Sequence, residues 1–185
     1  MDSTIHGMEH TKRLLGLSLA LSYHEELEIN DRALLANAVL YHDIRRETDG
    51  VEPGHGVKSY ERLMDEMYAT IIIDFQDKTD DQEYRLDSFS SDEEEILKSL
   101  IELHNTDDDI IKEEIRGMPE EQKERFVRLI KIFKDADALD RIRLQDLDAK
   151  YFRTESAKHL TNFSWLVNQK NKNSNNRKVK VTTKK

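Results

Sequence analysis

The chain of 185 residues is 37% hydrophobic and 36% charged, which predicts one water-exposed domain with a core of its own. It contains no cysteine, so disulfides, thiolate nucleophiles and cysteine metal sites are excluded, and any metal ion must be held by His, Asp or Glu. No apolar run is long enough to cross a bilayer and the N-terminus has no signal-peptide core. We therefore expect a cytoplasmic protein without a membrane partner.

The net charge of −9 is unevenly distributed along the chain. Residues 168–185 hold seven Lys and Arg and no acid, and the other 22 basic residues face all 38 acids, which leaves a charge of −16 on residues 1–167. Such an acidic body predicts no specific binding of nucleic acid. We predict that residues 1–167 form the domain and that the polar, Lys- and Asn-rich segment 168–185 is a disordered tail.

Two prolines, six glycines and several segments of helical period predict an all-α fold. We expect a first helix from Ile5 to Leu27, a second from Asp31 to Ile44, and a third from near Val57 through the segment YERLMDEMYATIIIDF. The acidic stretch that follows, QDKTDDQEYRLDSFS, is the best candidate for a mobile loop or lid.

In the second half of the chain, Ser91 and Glu94 have the spacing of a capping box and predict the start of a helix with the sequence DEEEILKSLIELH. Gly117 and Pro119 predict the end of one helix and the start of the long helix EEQKERFVRLIKIFKDADALDRIRL. The amphipathic segment ESAKHLTNFSWLVN predicts a last helix that packs on the body.

Four predicted helices carry an ionisable residue on, or at the end of, an apolar stripe: His10, His42, His104 and Asp137. One histidine on such a face is more often a core residue than a ligand, and an ion pair with Arg141 or Arg13 explains Asp137 alone. A buried Asp137 requires a cation, a donor or water. A set spread over four helices favours a metal site, because side chains from facing helices build such sites in bundle interiors.

Three segments, HGMEHTKRLL, LYHDIRR and FKDADALDRIR, resemble in this order the HD superfamily of metal-dependent phosphohydrolases. The pattern of that family is an early His, an adjacent His-Asp pair and a distant Asp on helices of an α-helical bundle. The resemblance covers Ile5 to Leu144 and implies an HD-domain-like bundle that binds a divalent metal ion (Mn²⁺, Mg²⁺, Fe²⁺, Co²⁺ or Ni²⁺). The implied ligands are His10, His42, Asp43 and Asp137.

Two of these ligand positions involve a choice between neighbours. His6 and His10 are one helical turn apart, and His10 is preferred because HTKRLL matches the family's His followed by a basic and an aliphatic position. Asp137 is preferred to Asp135 because it lies on the apolar stripe and matches the family's AD position, and Asp140 is then a candidate partner for a ligand.

His55 and His104 occupy places where relatives with two metal ions have the ligands of the second ion. If both serve, the site holds two ions. His55 is equally plausible as an acid/base or substrate-binding histidine, and His104 as a core residue near the site.

The resemblance implies hydrolysis of a phosphate ester or anhydride by a metal-activated water, with a nucleotide or other small phosphorylated molecule as substrate. The candidate catalytic residues are Asp43, His55 and Arg46. The candidate substrate-binding residues are Arg13, Arg45, Lys134 and His6, although ion pairs with nearby acids explain the arginines equally well. Two other functions remain open: a metal- or nucleotide-binding regulatory module without turnover, and a di-iron oxygenase, which requires both His55 and His104 as ligands.

Overall fold

The computed structural model describes residues 6–50, 52–65 and 89–178, with side chains up to residue 169. These ranges contain eight α-helices and no β-strand, which confirms the predicted all-α fold. The helices are α1 (Met8–His24), α2 (Ile29–Tyr41), α3 (His55–Asp65), α4 (Ser91–Leu103), α5 (Asp108–Glu114), α6 (Glu120–Asp140), α7 (Glu155–His159) and α8 (Thr161–Lys178). Among the described residues, no helix combines the length and the apolar composition needed to cross a membrane.

The core lies between α1, α2, α4 and α6. Leu14, Leu17 and Leu21 of α1 are fully buried on the face that packs on α2 and α6, and each such leucine contributes about 1.5–3 kcal/mol of burial free energy. Residues 33–39 of α2 are all buried, as expected for a helix with neighbours on several sides. α1 is shorter than predicted because Glu26, just beyond it, takes a left-handed φ of 52° that ends the helix.

The C-terminal end of α2 places the His-Asp pair. The helix ends at Tyr41, three residues before the predicted end. The N–H of His42 still donates to the carbonyl of Ala38, four residues back, whereas the N–H of Arg46 donates to the carbonyl of Asp43, only three back. His42 is therefore the C-cap of α2, and Asp43 follows it in a tight turn.

Two glycines bring the start of α3 against the end of α4. α3 begins at His55, two residues before the predicted start, after Gly54 has turned the chain with a φ of 76° that favours glycine. Gly56 packs so closely on α4 that a Cβ there would lie 2.4 Å from the carbonyl oxygen of Ile101. Beyond residue 65, the predicted third helix lies outside the described residues.

The capping box of α4 consists of Ser90 and Glu93, so the predicted pair Ser91 and Glu94 is wrong by one residue. Ser90 has an extended backbone, its Oγ accepts the N–H of Glu93 at 3.3 Å, and its own N–H donates to Glu93 Oε2 at 3.0 Å. Ser91 is the first residue of the helix, so it cannot be the N-cap, which precedes the helix. Of the predicted acidic loop, residues 76–88 lie outside the described residues.

α6 is the central helix of the bundle and packs on α1, α2, α4 and α8. Its predicted start is confirmed, with Pro119 at the N-cap, and the helix ends at Asp140. Phe126, Leu129 and Phe133 are buried along its inner face. The chain continues from α6 in a 3₁₀ turn, Arg141–Leu144, and then crosses toward α7.

The predicted last helix is divided into α7 and α8, with Thr154 capping α7 through its side chain. The hydroxyl of Ser164 donates to the carbonyl of Leu139 at 2.7 Å and holds α8 on α6. The backbone of α8 continues through residues 168–178, the first part of the segment predicted as a tail. Residues 179–185 lie outside the described residues.

Replacing Gly56 with Ala should lower the free energy of unfolding by about 1–3 kcal/mol, because the added methyl group overlaps the backbone of α4. Gly16→Ala in α1 is the matched control, since nothing lies within 4 Å of the added Cβ. There alanine should stabilise the helix by up to about 1 kcal/mol. Urea unfolding of both variants measures the difference. Equal stabilities would show that the contact between α3 and α4 is looser than described.

Candidate metal centre

Asp43 lies at the centre of a cluster of histidines. Its Oδ2 is 3.1 Å from Nδ1 of His6 and 3.3 Å from Nε2 of His42. Its Oδ1 is 3.0 Å from Nε2 of His55 and 3.8 Å from Nε2 of His104. The carboxylate is almost fully buried, so the four imidazoles are its immediate surroundings.

Five of the seven histidines in the chain form this cluster. Their rings contact one another edge to face in the order His6, His10, His42, His104 and His55, with centroids 4.8–5.6 Å apart. Phe133 of α6 forms one wall of the cluster, stacked on His104 and edge-on to His42. Nothing in the sequence indicated that Phe133 supports the histidines.

Backbone carbonyls fix the orientation of three rings. Nδ1 of His42, of His55 and of His104 each lies 2.7 Å from the carbonyl oxygen three residues earlier in the chain. Because a carbonyl only accepts, each Nδ1 carries a hydrogen, and Nε2 of the neutral ring presents its lone pair. Nδ1 of His10 is held in the same way by Asp140 Oδ2 at 2.8 Å. Such partners commonly orient metal-ligating histidines.

The Nε2 lone pairs lie so close to one another and to the carboxylate of Asp43 that the cluster requires a positive charge among them. Nε2 of His55 is 3.0 Å from Nε2 of His104, and two lone pairs at that distance repel. Burial lowers the pKa of His104 well below its ordinary value, so His104 is neutral. Two ligands bound to one ion at about 2.1 Å and at right angles are about 3.0 Å apart, which is the spacing seen here.

Protonation of the cluster reflects the same excess of negative charge. Burial opposes the charged form of His42, but the charge of Asp43 and its hydrogen bond outweigh burial and raise the pKa of His42. Burial also opposes ionisation of Asp43, yet the nearby histidines hold the pKa of Asp43 far below its usual range. Asp43 therefore remains a carboxylate that attracts a cation.

Two groups of donor atoms could each hold a metal ion. One consists of His6, His10 and Asp43 and the other of His42, Asp43 and His104, and within each group the donor atoms lie within 4.8 Å of one another. Asp43 belongs to both. Among the described residues, the donor set thus fits one ion or two ions that share a carboxylate.

Asp137 is more exposed than the sequence indicated. Its side chain is 54% exposed, so the premise that it is a buried charge on the apolar stripe is wrong. It lies on the outer side of α6, where its Oδ1 is 3.7 Å from Nε2 of His10. It therefore reaches the edge of the cluster from the solvent side. Asp135 is fully buried, and its oxygens accept the N–H groups of Arg153 and Thr154 at 2.7–3.0 Å.

The buried carboxylate of α6 that contacts the cluster is Asp140, which is 1% exposed. It accepts hydrogen bonds from His10 Nδ1 and, at 2.6 Å, from Nε of Arg13, and Arg143 also contacts it at 2.7 Å. Burial opposes its ionisation, but these partners lower the pKa of Asp140 well below its usual range. Arg13, a candidate substrate-binding residue, is buried in this ion pair.

The other predicted basic residues differ in position. The guanidinium of Arg46 is 11% exposed, and its NH1 lies 3.5 Å from both Asp43 Oδ1 and His55 Nε2. Arg45 is exposed beside it. His6 donates to Asp43 and is thus part of the cluster itself.

An open cleft of about 700 Å³ borders the cluster, and His104 and Asp137 are among its lining residues. The end of α4, the start of α5, α6 and the segment 141–153 form its walls, and Tyr151 is exposed along one of them. A small molecule of nucleotide size fits a cleft of this volume. The cleft therefore connects solvent to the cluster.

The cations on the wall of this cleft are paired with carboxylates. Nζ of Lys134 lies 2.6 Å from Asp108 Oδ1, and Nε of Arg153 lies 2.9 Å from Asp108 Oδ2. Arg141 donates to Asp146. Burial lowers the pKa of Lys134, and the two cations lower the pKa of Asp108 despite its partial burial. Nζ of Lys134, a residue predicted to bind substrate, already donates to Asp108 and to the carbonyl of Thr106.

Comparison with protein-family models, with curated proteins and with solved structures finds no match for this chain.

Asp140→Asn should destabilise the protein by about 3–5 kcal/mol, because the change leaves Arg13 buried without its counter-charge. Because the pKa of Asp140 is depressed in the folded protein, its stabilising contribution is complete above the unfolded value near 4 and is lost progressively as the pH falls below that value toward the folded pKa. The wild type should therefore lose stability from about pH 5 downward more steeply than the variant.

Asp137→Asn is the exposed control and should stay within about 0.5 kcal/mol of wild type. Thermal unfolding between pH 3 and 8 measures both effects, and parallel pH profiles for wild type and Asp140→Asn would contradict the role of the ion pair.

Proposed function

We propose that this protein is a metal-dependent phosphohydrolase that acts on a nucleotide or another small phosphate ester or anhydride. The observation that carries the proposal is the set of three imidazole Nε2 atoms around Asp43, each on a ring whose Nδ1 is fixed by a backbone carbonyl, beside an open cleft. The resemblance of three sequence segments to the HD superfamily supports the same assignment.

His10, His42, Asp43 and Asp137 are the residues that would hold the ion. A divalent ion bound by such residues lowers the pKa of a water and neutralises charge on a phosphoryl group. His10 and His42 would each offer Nε2 to the ion, because Nδ1 of His10 is bonded to Asp140 and Nδ1 of His42 to the carbonyl of Val39. Asp43 contributes a carboxylate that burial and its neighbours keep ionised and aligned.

The other residues of the cluster act on the substrate. His55 is fully buried, and its Nε2 lies 3.0 Å from Asp43 and on the side of the cluster that faces Arg46. At that nitrogen His55 could exchange a proton with the substrate as a general acid or base. The guanidinium of Arg46 supplies a fixed positive charge for a phosphate oxygen. The cations of the cleft wall contribute less, because each is bonded to a carboxylate.

The size and lining of the cleft favour a small substrate. Phosphoryl transfer depends mostly on positioning and on neutralising negative charge, and both are provided at the cluster. The remainder of the substrate then lies in the cleft between α5, α6 and Tyr151. The experiment that tests the activity is a screen of nucleotides and phosphorylated metabolites with Mn²⁺, Mg²⁺, Co²⁺ and Ni²⁺, with release of phosphate as the readout.

His42→Ala should lower metal affinity by 10-fold or more and abolish hydrolysis, because it removes a ligand whose orientation the backbone fixes. Leu35→Met on the same helix is the control and should bind metal as the wild type does. Calorimetric titration with Mn²⁺ and Co²⁺ measures both. Unchanged affinity in His42→Ala would make the His-Asp pair an ordinary polar helix end and would remove the basis of the proposal.

Metal affinity should fall as the pH is lowered. In the metal-free protein the pKa of His42 is raised, so a proton occupies its Nε2 below that pKa and must leave before an ion binds. Affinity should be full above the raised pKa and should then decrease about tenfold per pH unit for each proton displaced. Titration with metal from pH 5.5 to 8.5 measures the slope. An affinity that does not change with pH would show that metal binding displaces no proton from a histidine.

A di-iron oxygenase is a second candidate, since His55 and His104 both lie within 3.8 Å of Asp43 Oδ1, as that function requires. It predicts two irons per chain, loss of iron in His104→Ala, and consumption of dioxygen. Hydrolysis supported by Mn²⁺ or Mg²⁺ under anaerobic conditions separates the two functions in favour of the phosphohydrolase.

A further inference from the structure

The two oxygens of Asp43 have different surroundings. Oδ2 is bordered by His6, which precedes α1, at 3.1 Å and by His42, the C-cap of α2, at 3.3 Å. Oδ1 is bordered by His55 of α3 and by His104 at the end of α4. Arg46 contacts only the Oδ1 side, at 3.5 Å from the carboxylate oxygen.

Arg46 is fixed in this position by main-chain acceptors. Its Nε donates to the carbonyl of Thr48 at 3.1 Å, and its NH2 donates to the carbonyl of Gly50 at 2.9 Å. The loop that provides these carbonyls is itself closed by Glu52, whose Oε2 accepts the N–H groups of Glu47 and Thr48. NH1 is the remaining part of the guanidinium, and it faces Asp43 and the lone pair of His55.

NH1 therefore contacts the two atoms that a second metal ion would use, Asp43 Oδ1 and His55 Nε2. Charges a few ångströms apart repel strongly where solvent is largely excluded, and arginine does not lose its charge in proteins. A guanidinium anchored by two carbonyls cannot withdraw without breaking those hydrogen bonds.

We propose that Arg46 is an internal cation that takes the place of a second metal ion, so that the centre binds one ion, on the Oδ2 side of Asp43. The inference rests on the proposed function. Arg46 then leaves His55 and His104 without a metal ion. It also places a positive charge where a phosphate oxygen of the substrate is to be neutralised, which a second ion does in two-metal sites.

The test is the number of ions bound per chain, measured by elemental analysis and by calorimetry after equilibration with Mn²⁺ or Co²⁺. The wild type should bind one equivalent, and Arg46→Met, which removes the charge but keeps the bulk, should bind two. Arg46→Lys should bind one. Arg45→Gln, which changes the exposed neighbouring arginine, is the matched control and should also bind one.

His104 locates the additional ion. In the wild-type background His104→Ala should still bind one equivalent, with affinity within about threefold of wild type, and this arm does not depend on the folding of Arg46 variants. In the Arg46→Met background the same change should return the stoichiometry from two to one. Loss of the single ion in His104→Ala, or one equivalent in a folded Arg46→Met, would overturn the proposal.

The inference and the proposed function can fail separately. Two ions in the wild type together with hydrolysis would remove the role of Arg46 and leave the phosphohydrolase standing. One ion in the wild type and two in Arg46→Met without hydrolysis of any phosphate ester would confirm the role of Arg46 and contradict the function.

Discussion

A buried carboxylate among imidazole lone pairs is unfavourable unless positive charge lies among them, and this constraint governs the centre of the bundle. Asp43 is ionised, His104 is neutral, and Nε2 of His55 lies 3.0 Å from each of them. The guanidinium of Arg46 provides part of the compensating charge, and the charge of Asp43 raises the pKa of His42. A divalent ion held by His6, His10 and Asp43, whose donor atoms lie within 4.8 Å of one another, would provide more of it.

The helix ends explain how the fold holds this arrangement. His42 is the C-cap of α2, His104 is the C-cap of α4, and His55 is the first residue of α3. At such positions carbonyl groups lack helical partners, and here the Nδ1 hydrogens of the two C-cap histidines satisfy two of them. The hydrogen bonds that satisfy the last carbonyls of the helices therefore also fix the orientation of the imidazole rings. Gly56 brings the ends of α3 and α4 together, so the glycine next to His55 serves the site through packing.

Much of this could be predicted from the sequence, because helical period identifies both the helices and the residues that interrupt their apolar stripes. The choice between similar residues a few positions apart was harder to predict. The segment SSDEEE satisfies the spacing of a capping box starting at either serine, and only the backbone of Ser90 decides between them. Asp137 and Asp140 are three residues apart on α6, and the stripe alone did not show that Asp140 is buried and Asp137 half-exposed.

The partners of the basic residues could not be predicted, because they come from distant parts of the chain. Arg13 pairs with Asp140 across 127 residues, and Lys134 pairs with Asp108 on another helix. The sequence pattern around an arginine or lysine near a motif does not distinguish a residue that binds phosphate from one that neutralises a buried acid. The backbone carbonyls that accept from the histidines could not be predicted either, because every residue has a carbonyl group whatever its side chain.

The most direct test of the account is the metal affinity of Asp43→Asn compared with that of the wild type, measured by calorimetry at pH 8. The asparagine keeps the size of the side chain and removes the charge that both donor groups share. We predict that the wild type binds Mn²⁺ or Co²⁺ and that Asp43→Asn, while folded, loses about 100-fold in affinity. Equal affinity of the two proteins, or no binding by the wild type, would contradict it.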